Sequence, residues 1–380
     1  MKIASIDVFP LEADLGNPIG FSQWYYGKKN NLVIKITAED GTIGWGESYG
    51  PSHAIASSIE TYFKPLLLGK NPLETECLWQ LMWKSYLDFN RLGIFMGAIS
   101  GIDIALWDLK GKAYDAPVRE LLGGTSEPIQ CYATGMYFRK GVPDEQMIPQ
   151  LLTEAESYIK LGFDFLKIKI GKNLDFDCEI LEAFRQNFPD TLLAADANHA
   201  YNFKESLIIG RLLEKHNYTW FEEPLHPSNL SDMAKLRNLL DVSIASGECE
   251  QTRYGFLKLA EAKALDIFQP DPAYCGGISE YLKIQAIATA NHIDCIPHCW
   301  GLKINQSVSA SLLSISPENP GRYEKRKFYL EMDQTEHPIR DCIFKDSHEV
   351  KDGYLHFNDL PGLGVSVDEK LLDSFKAVTK

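Results

Sequence analysis

The chain has no cluster of basic residues long enough to make a cationic face, no CxxC cysteine pair, no GxGxxG turn after its first strand and no apolar run long enough to cross a bilayer. Each absence removes a class of function. Nucleic acid requires a cationic face, and a formal charge of -14 supplies the opposite, so nucleic acid is excluded as a partner. The same acidity gives no long-range help to an anionic substrate, so any anion site has to be local. Eight cysteines are scattered without metal-like spacing; Cys295 and Cys299 flank His298 but have no second pair elsewhere, and all eight read as reduced thiols. The opening MKIASIDVFPLEADLG contains neither an apolar leader core nor a cleavage-like signature. With no bilayer-spanning run, no membrane partner is expected, and the expected location is cytoplasmic.

What is present is organised in three parts. A length of 380 residues suits two domains, or one large barrel with an appendage. Residues 1–125 begin with period-two alternation (KIASIDVFPLE, NLVIKITAEDGTIGWGE) around an Asp40-Gly41 turn, then change to helical spacing until Gly123-Gly124. This predicts an α+β unit. Over 126–345, eight short apolar runs alternate with longer amphipathic ones: IQCYATGM, FDFLKIKI, LLAAD, YTWFEE, VSIASGE, LDIFQPD, IDCIPH and FYLE. Eight parallel strands separated by seven helices predict an α/β fold, a (β/α)7β barrel of the TIM type. Residues 346–380 return to hairpin-like patterning, and are expected to pack back on the N-terminal sheet.

The run FLKIKI sets two lysines one residue apart in an apolar strand. Residues i and i+2 of a strand share a face, so Lys167 and Lys169 lie together, opposite Leu166, Ile168 and Ile170. Ionisable residues then recur at strand ends every 23 to 27 residues: Lys169, Asp196, Glu222, Glu248, Asp271 and His298. One per βα unit, always at the carboxyl end, they converge on one mouth of a barrel. Asp196, Glu222 and Glu248, from three consecutive strands, would repel one another strongly without a cation between them. Hard oxygen ligands favour Mg²⁺. Each of Lys167 and Lys169 is expected to lower the proton affinity of the other and so fit it to act as a base, while Asp271 holds one nitrogen of His298 and leaves the other to face substrate. An acid or base on each side of a metal suits removal of a proton from the carbon next to a carboxylate, because the resulting enediolate needs cationic stabilisation.

The motifs KIK (167–169), DAN (196–198), FEEP (221–224), GE (247–248), QPD (269–271) and PH (297–298), with GIDIALWDLKGK and LPGLG, resemble the mandelate racemase subgroup of the enolase superfamily over essentially the whole length. The resemblance implies Mg²⁺ held by Asp196, Glu222 and Glu248. It implies Lys169 as one acid/base and His298 with Asp271 as the other, Lys167 stabilising charge near the substrate carboxylate, and Glu331 hydrogen-bonded to the developing enediolate. It also makes the N-terminal unit a capping domain whose loop NPIGFSQWYYGKK is a lid. Trp24 on that loop, with Asn198 and Trp300 at the mouth, becomes a candidate contact to a small carboxylate substrate, and the assembly a homo-oligomer between dimer and octamer. Within the subgroup, AADANHAY, GGIS, IPHCWG and LEMDQTEHP look most like galactarolactone cycloisomerases and acid-sugar dehydratases. The shared half-reaction leaves a lyase, a cycloisomerase and a racemase or epimerase open, and a barrel that only binds metal stands against all three.

Overall fold

The structure, a computed structural model, describes residues 1–89, 91–316 and 327–377. Three antiparallel strands, β1 (Ile3–Gly20), β2 (Tyr25–Ala38) and β3 (Ile43–Ser48), form the N-terminal sheet, and the short strand Phe138–Arg139 adds a fourth beside β1. The turn between β2 and β3 is the Asp40-Gly41 signal, with Gly41 at φ +89°, a left-handed conformation that glycine adopts without a Cβ clash. Helix Ile94–Ala113 lies on this sheet so closely that a Cβ on Gly46 would stand 2.1 Å from the Gly101 carbonyl oxygen. A Gly46→Ala change is therefore expected to cost about 1–3 kcal/mol, read as a lower denaturant midpoint at unchanged slope.

The barrel strands, numbered 1 to 8, are Ile129–Thr134, Phe165–Lys169, Leu192–Asp196, Trp220–Glu222, Ser243–Ser246, Ile267–Phe268, Asp294–Cys295 and Leu330–Asp333. They are the eight apolar runs of the sequence. Parallel pairing runs unbroken from strand 8 through strand 1 to strand 7. Helices follow strands 1 to 7, giving the (β/α)7β order.

Side-chain alternation then decides what the barrel holds. Tyr132, Phe165, Ala194, Trp220, Ala245, Ile267, Ile296 and Tyr329, one from each successive strand, form a buried apolar plug across the floor. Two residues further along the chain, on the same face, stand Thr134, Lys167, Asp196, Glu222, Gly247, Gln269, His298 and Glu331. Leu166, Ile168, Leu193, Ala195, Phe221 and Ile244, on the other face, join the core beneath the helices. The lysines of FLKIKI thus point into the barrel, and its leucine and isoleucines point out of it.

Two carboxylates tie the N-terminal unit to barrel helices. Glu47 at the end of β3 accepts from the amides of Leu302 (2.7 Å) and Asn305 (3.1 Å), at the start of helix Lys303–Leu313. Asp103 accepts from the Ser279 amide (2.9 Å) and hydroxyl (2.7 Å), at the start of helix Gly277–Ala290. Both sit where helix amides lack internal partners and the dipole favours an anion.

The C-terminal segment returns to the N-terminal unit only after a detour along the barrel. Its hairpin, Glu349–Lys351 with Tyr354–His356, pairs antiparallel with barrel strand 1 instead of the N-terminal sheet. Open edge amides of strand 1 explain the choice: its outer end extends past strand 2, leaving Ile129 and Gln130 to pair with Leu355 and Tyr354. Only the chain beyond returns, with Val118 N donating to Gly362 O, Leu363 N to Asp108 Oδ1 and Ala377 N to Pro10 O. Residues 378–380 lie outside the described residues. Among the described residues, no helix is long and apolar enough to cross a membrane.

Candidate active site

Register sets the first row of the site. Lys169 pairs across the ladder with Asp196, and Asp196 with Glu222, so a base candidate and two carboxylates emerge side by side from strands 2, 3 and 4. Glu248 follows strand 5, and ligand atoms of Asp196, Glu222 and Glu248 all lie within 4.8 Å of one another. Asp196 and Glu222 are buried. Three hard oxygen donors converging from consecutive strands fit a divalent cation of the Mg²⁺ kind.

The lysines are engaged by that row. Lys169 Nζ lies 2.5 Å from Asp196 Oδ2 and donates to Asn198 Oδ1 at 3.0 Å. Lys167 Nζ lies 2.5 Å from Glu222 Oε1 and 2.8 Å from Glu331 Oε1. The mutual lysine effect expected from the sequence is present but outweighed. Burial and the Lys167 charge do press on Lys169, but Asp196 outweighs them and its pKa is raised; burial of Lys167 is likewise outweighed by Glu222 and Glu331. Burial pushes the Glu222 carboxyl up, against the pull of Lys167. Asp196 is held down: burial is overcome by Lys169 and Lys167.

On the other side, His298 follows strand 7. Its Nδ1 is 2.7 Å from Asp271 Oδ2, and its Nε2 is 3.3 Å from Glu248 Oε2. Asp271 is fixed by the Ala273 amide (2.8 Å) and Asn305 Nδ2 (3.1 Å). Burial works against charging the imidazole, yet Glu248, Glu331 and Asp271 raise its pKa to about 10. Glu331 accepts from Thr134 Oγ1 (2.6 Å) and the Cys299 amide (3.0 Å). Burial of that carboxyl is overcome by Lys167 and His298, which hold it down at about 2. Glu331 thus meets Lys167 on one side and lines the cavity on the other.

Lys169, Asn198, Glu248, His298, Trp300 and Glu331 line a single cavity at the mouth, roofed by Phe21, Tyr26, Tyr49 and Tyr137. The turn between β1 and β2 reaches it: Ser22 Oγ and Gln23 Nε2 donate to the Asn198 carbonyl at 2.9 and 3.0 Å. Trp24 is not among the lining residues. It sits in the turn between β1 and β2, 58% exposed, edge-on to Phe21, while Tyr26 two residues on faces inward and meets Trp300 edge-on at 5.6 Å. Lys167 also stays out of the lining, buried behind its two glutamates.

Sequence reasoning missed several groups. Lys29, buried, holds its ammonium 3.9 Å over the Trp300 ring and pairs with Asp333, which Arg340 also engages, anchoring the base of the lid to strand 8. The KK doublet at the end of the lid loop was its signal. Glu223, the second glutamate of FEEP, is buried beside His199.

Comparison with known proteins follows this geometry. Residues 5–123 match the Mandelate racemase / muconate lactonizing enzyme N-terminal domain, and residues 150–371 match the Enolase C-terminal domain-like family. The chain belongs to the enolase superfamily, mandelate racemase and muconate lactonizing enzyme group. Similar curated members are a D-galactarolactone cycloisomerase of Agrobacterium fabrum, 33% identical over 99% of each chain, and an arabinonate dehydratase of Saccharolobus solfataricus, 37% identical over 91% of this chain and 90% of that one. Among solved structures, the L-talarate/galactarate dehydratase from Salmonella typhimurium LT2, liganded with Mg and L-lyxarohydroxamate, superposes with a TM-score of 0.86 at 26% identity, over 99% of this chain and 93% of that one.

Proposed function

We propose that this superfamily member is a Mg²⁺-dependent enzyme that removes the proton α to the carboxylate of an acid sugar, or of its lactone or anhydro form. A β-elimination then gives a 2-keto-3-deoxy sugar acid. The observation that carries this is the shared cavity, with Lys169 and His298 both in its lining and the Asp196, Glu222 and Glu248 triad between their strands. Asp196, Glu222 and Glu248 would hold the cation, which when bound supplies Lewis acidity to the enediolate and offsets the carboxylate charge that keeps Lys169 protonated.

The chain's own groups do the rest. Lys169 and His298 exchange protons with substrate at Nζ and Nε2; Asp271 holds Nδ1 of the imidazole and so fixes which nitrogen faces the cavity. Lys167, clamped by Glu222 and Glu331, places a fixed positive charge beside the row where negative charge develops. Asn198 and Trp300 contact substrate, and Phe21 and Tyr26 of the lid exclude water. Expulsion of a hydroxyl from the β-carbon makes a dehydratase; expulsion of a ring oxygen makes a cycloisomerase. The named relatives of both kinds support the common half-reaction.

A screen of acid sugars, their lactones and anhydro-sugar acids with Mg²⁺ present tests this by the semicarbazone absorbance of a 2-keto-3-deoxy product. Product from an open-chain acid makes the protein a dehydratase, and product confined to a lactone or anhydro acid makes it a cycloisomerase. No product anywhere, with α-proton exchange in deuterated water, overturns the elimination in favour of a racemase or epimerase.

A further inference from the structure

The three strand ends that carry the carboxylate triad carry a second set of metal-binding side chains just beyond it. Asp196 is followed closely by His199, Glu222 by Glu223, and Glu248 by Cys249. Ligand atoms of His199, Glu223 and Cys249 lie within 4.8 Å of one another. His199 Nε2 is 3.1 Å from Glu223 Oε2 and 3.6 Å from Cys249 Sγ.

Two features point this cluster at a cation. His199 Nδ1 lies 3.1 Å from the Leu225 carbonyl oxygen, which only accepts, so Nδ1 carries the hydrogen and Nε2 is the nitrogen turned toward the carboxylate and the thiol. A backbone carbonyl on the far nitrogen is the arrangement that orients metal-bound histidines. Independently, Glu223 is 1% exposed and turns its Oε2 to His199 and Asn198, while its Oε1 has no hydrogen-bond partner among the described residues. A buried carboxylate oxygen without a donor is costly, and a coordinated cation relieves it.

We propose that His199, Glu223 and Cys249 form a second cation site, selective for a borderline or soft divalent ion such as Zn²⁺. Nitrogen, oxygen and sulfur from three residues, with Cys249 on the exposed side leaving room for water, make a four-coordinate set that Mg²⁺ does not favour. The site is wired to the first one. Asn198 Nδ2 lies 3.3 Å from Glu223 Oε2, Asn198 Oδ1 accepts from Lys169, and the Asn198 carbonyl receives the lid donors Ser22 and Gln23. An ion that draws Glu223 toward His199 and Cys249 competes with the Asn198 contact, so occupancy lowers turnover.

Cd²⁺ is the probe, added to enzyme already loaded with Mg²⁺. One equivalent is expected to produce the ultraviolet cadmium–thiolate charge-transfer band, with turnover falling as the band grows. Cys249→Ser, which leaves turnover without Cd²⁺ unchanged, is expected to lose the band and to need at least roughly tenfold more Cd²⁺ for the same inhibition. His199→Gln is expected to keep a thiolate band at roughly tenfold or greater Cd²⁺ concentration. A band that persists in Cys249→Ser, or equal affinity in His199→Gln, overturns the ligand set. Equal inhibition of Cys249→Ser assigns the inhibition to Asp196, Glu222 and Glu248 and overturns the link to turnover. The spectroscopic readout is independent of the acid-sugar reading, so the two fail separately.

Discussion

Lys169→Ala is expected to lower turnover by roughly 10²–10⁴-fold with a much smaller change in KM, and His298→Asn by a similar factor. Both groups stand at hydrogen-bonding distance from buried carboxylates and line the same cavity, so truncation removes a proton carrier without opening the fold. The two variants separate the roles. In deuterated water, the variant that has lost the abstracting base exchanges no α-proton, whereas the variant that has lost only the group assisting departure still exchanges it and forms no product. Full activity in both would make the proposed mechanism wrong.

A pH profile adds an independent check on His298. With burial overcome by Glu248, Glu331 and Asp271, its folded pKa of about 10 lies above the ordinary imidazole range. The stability carried by the imidazolium is therefore full below about pH 6.5 and is lost as pH rises through about 10. Activity that depends on the same proton falls on the alkaline side, and that limb is expected to vanish from the residual activity of His298→Asn.

Chelation of divalent cations is expected to abolish turnover, and Mg²⁺ to raise the unfolding midpoint. At a hundredfold excess over Kd, ligation contributes ~2.7 kcal/mol. Glu248→Gln is the informative variant because Glu248 touches His298 but carries neither lysine, so the change weakens the triad and leaves both Lys169 and Lys167 paired. Its half-saturating Mg²⁺ concentration is expected to rise by at least tenfold, with a corresponding loss of the midpoint shift. A variant that gains the same midpoint shift at the same Mg²⁺ concentration would remove Glu248 from the ligand set.

The barrel and its polar mouth were legible in the sequence for one reason. A closed parallel barrel forces alternate residues inward, and residues at or just beyond the carboxyl end of each strand have no apolar layer above them, so six ionisable residues mark six strand ends. Hairpin tips have no such rule. Trp24 and Tyr26 belong to one aromatic run, and only the turn at Phe21–Trp24 decides that the tyrosine enters the cavity and the tryptophan faces water. Proton affinities were equally hidden: the two lysines of KIK suggest mutual repulsion, but each meets a carboxylate from another strand, a contact set by register across the barrel and not by neighbours in the chain. The path of the C-terminal hairpin was hidden too, because a strand pattern states its period without naming its partner edge.

Glu47 and Asp103 reach from the N-terminal unit into the first turns of two barrel helices. Cutting the chain between the two units would leave those amides open on one fragment and two carboxylates stranded on the other, so each half is expected to be less stable alone than within the intact chain. The turn between β1 and β2 is held more lightly: among the described residues, Ser22 and Gln23 donate to one carbonyl, and Ile19 and Gly20 pair with Arg139 and Phe138. Insertions and substitutions there are expected to change the roof of the cavity while the frame that positions the strand ends stays intact.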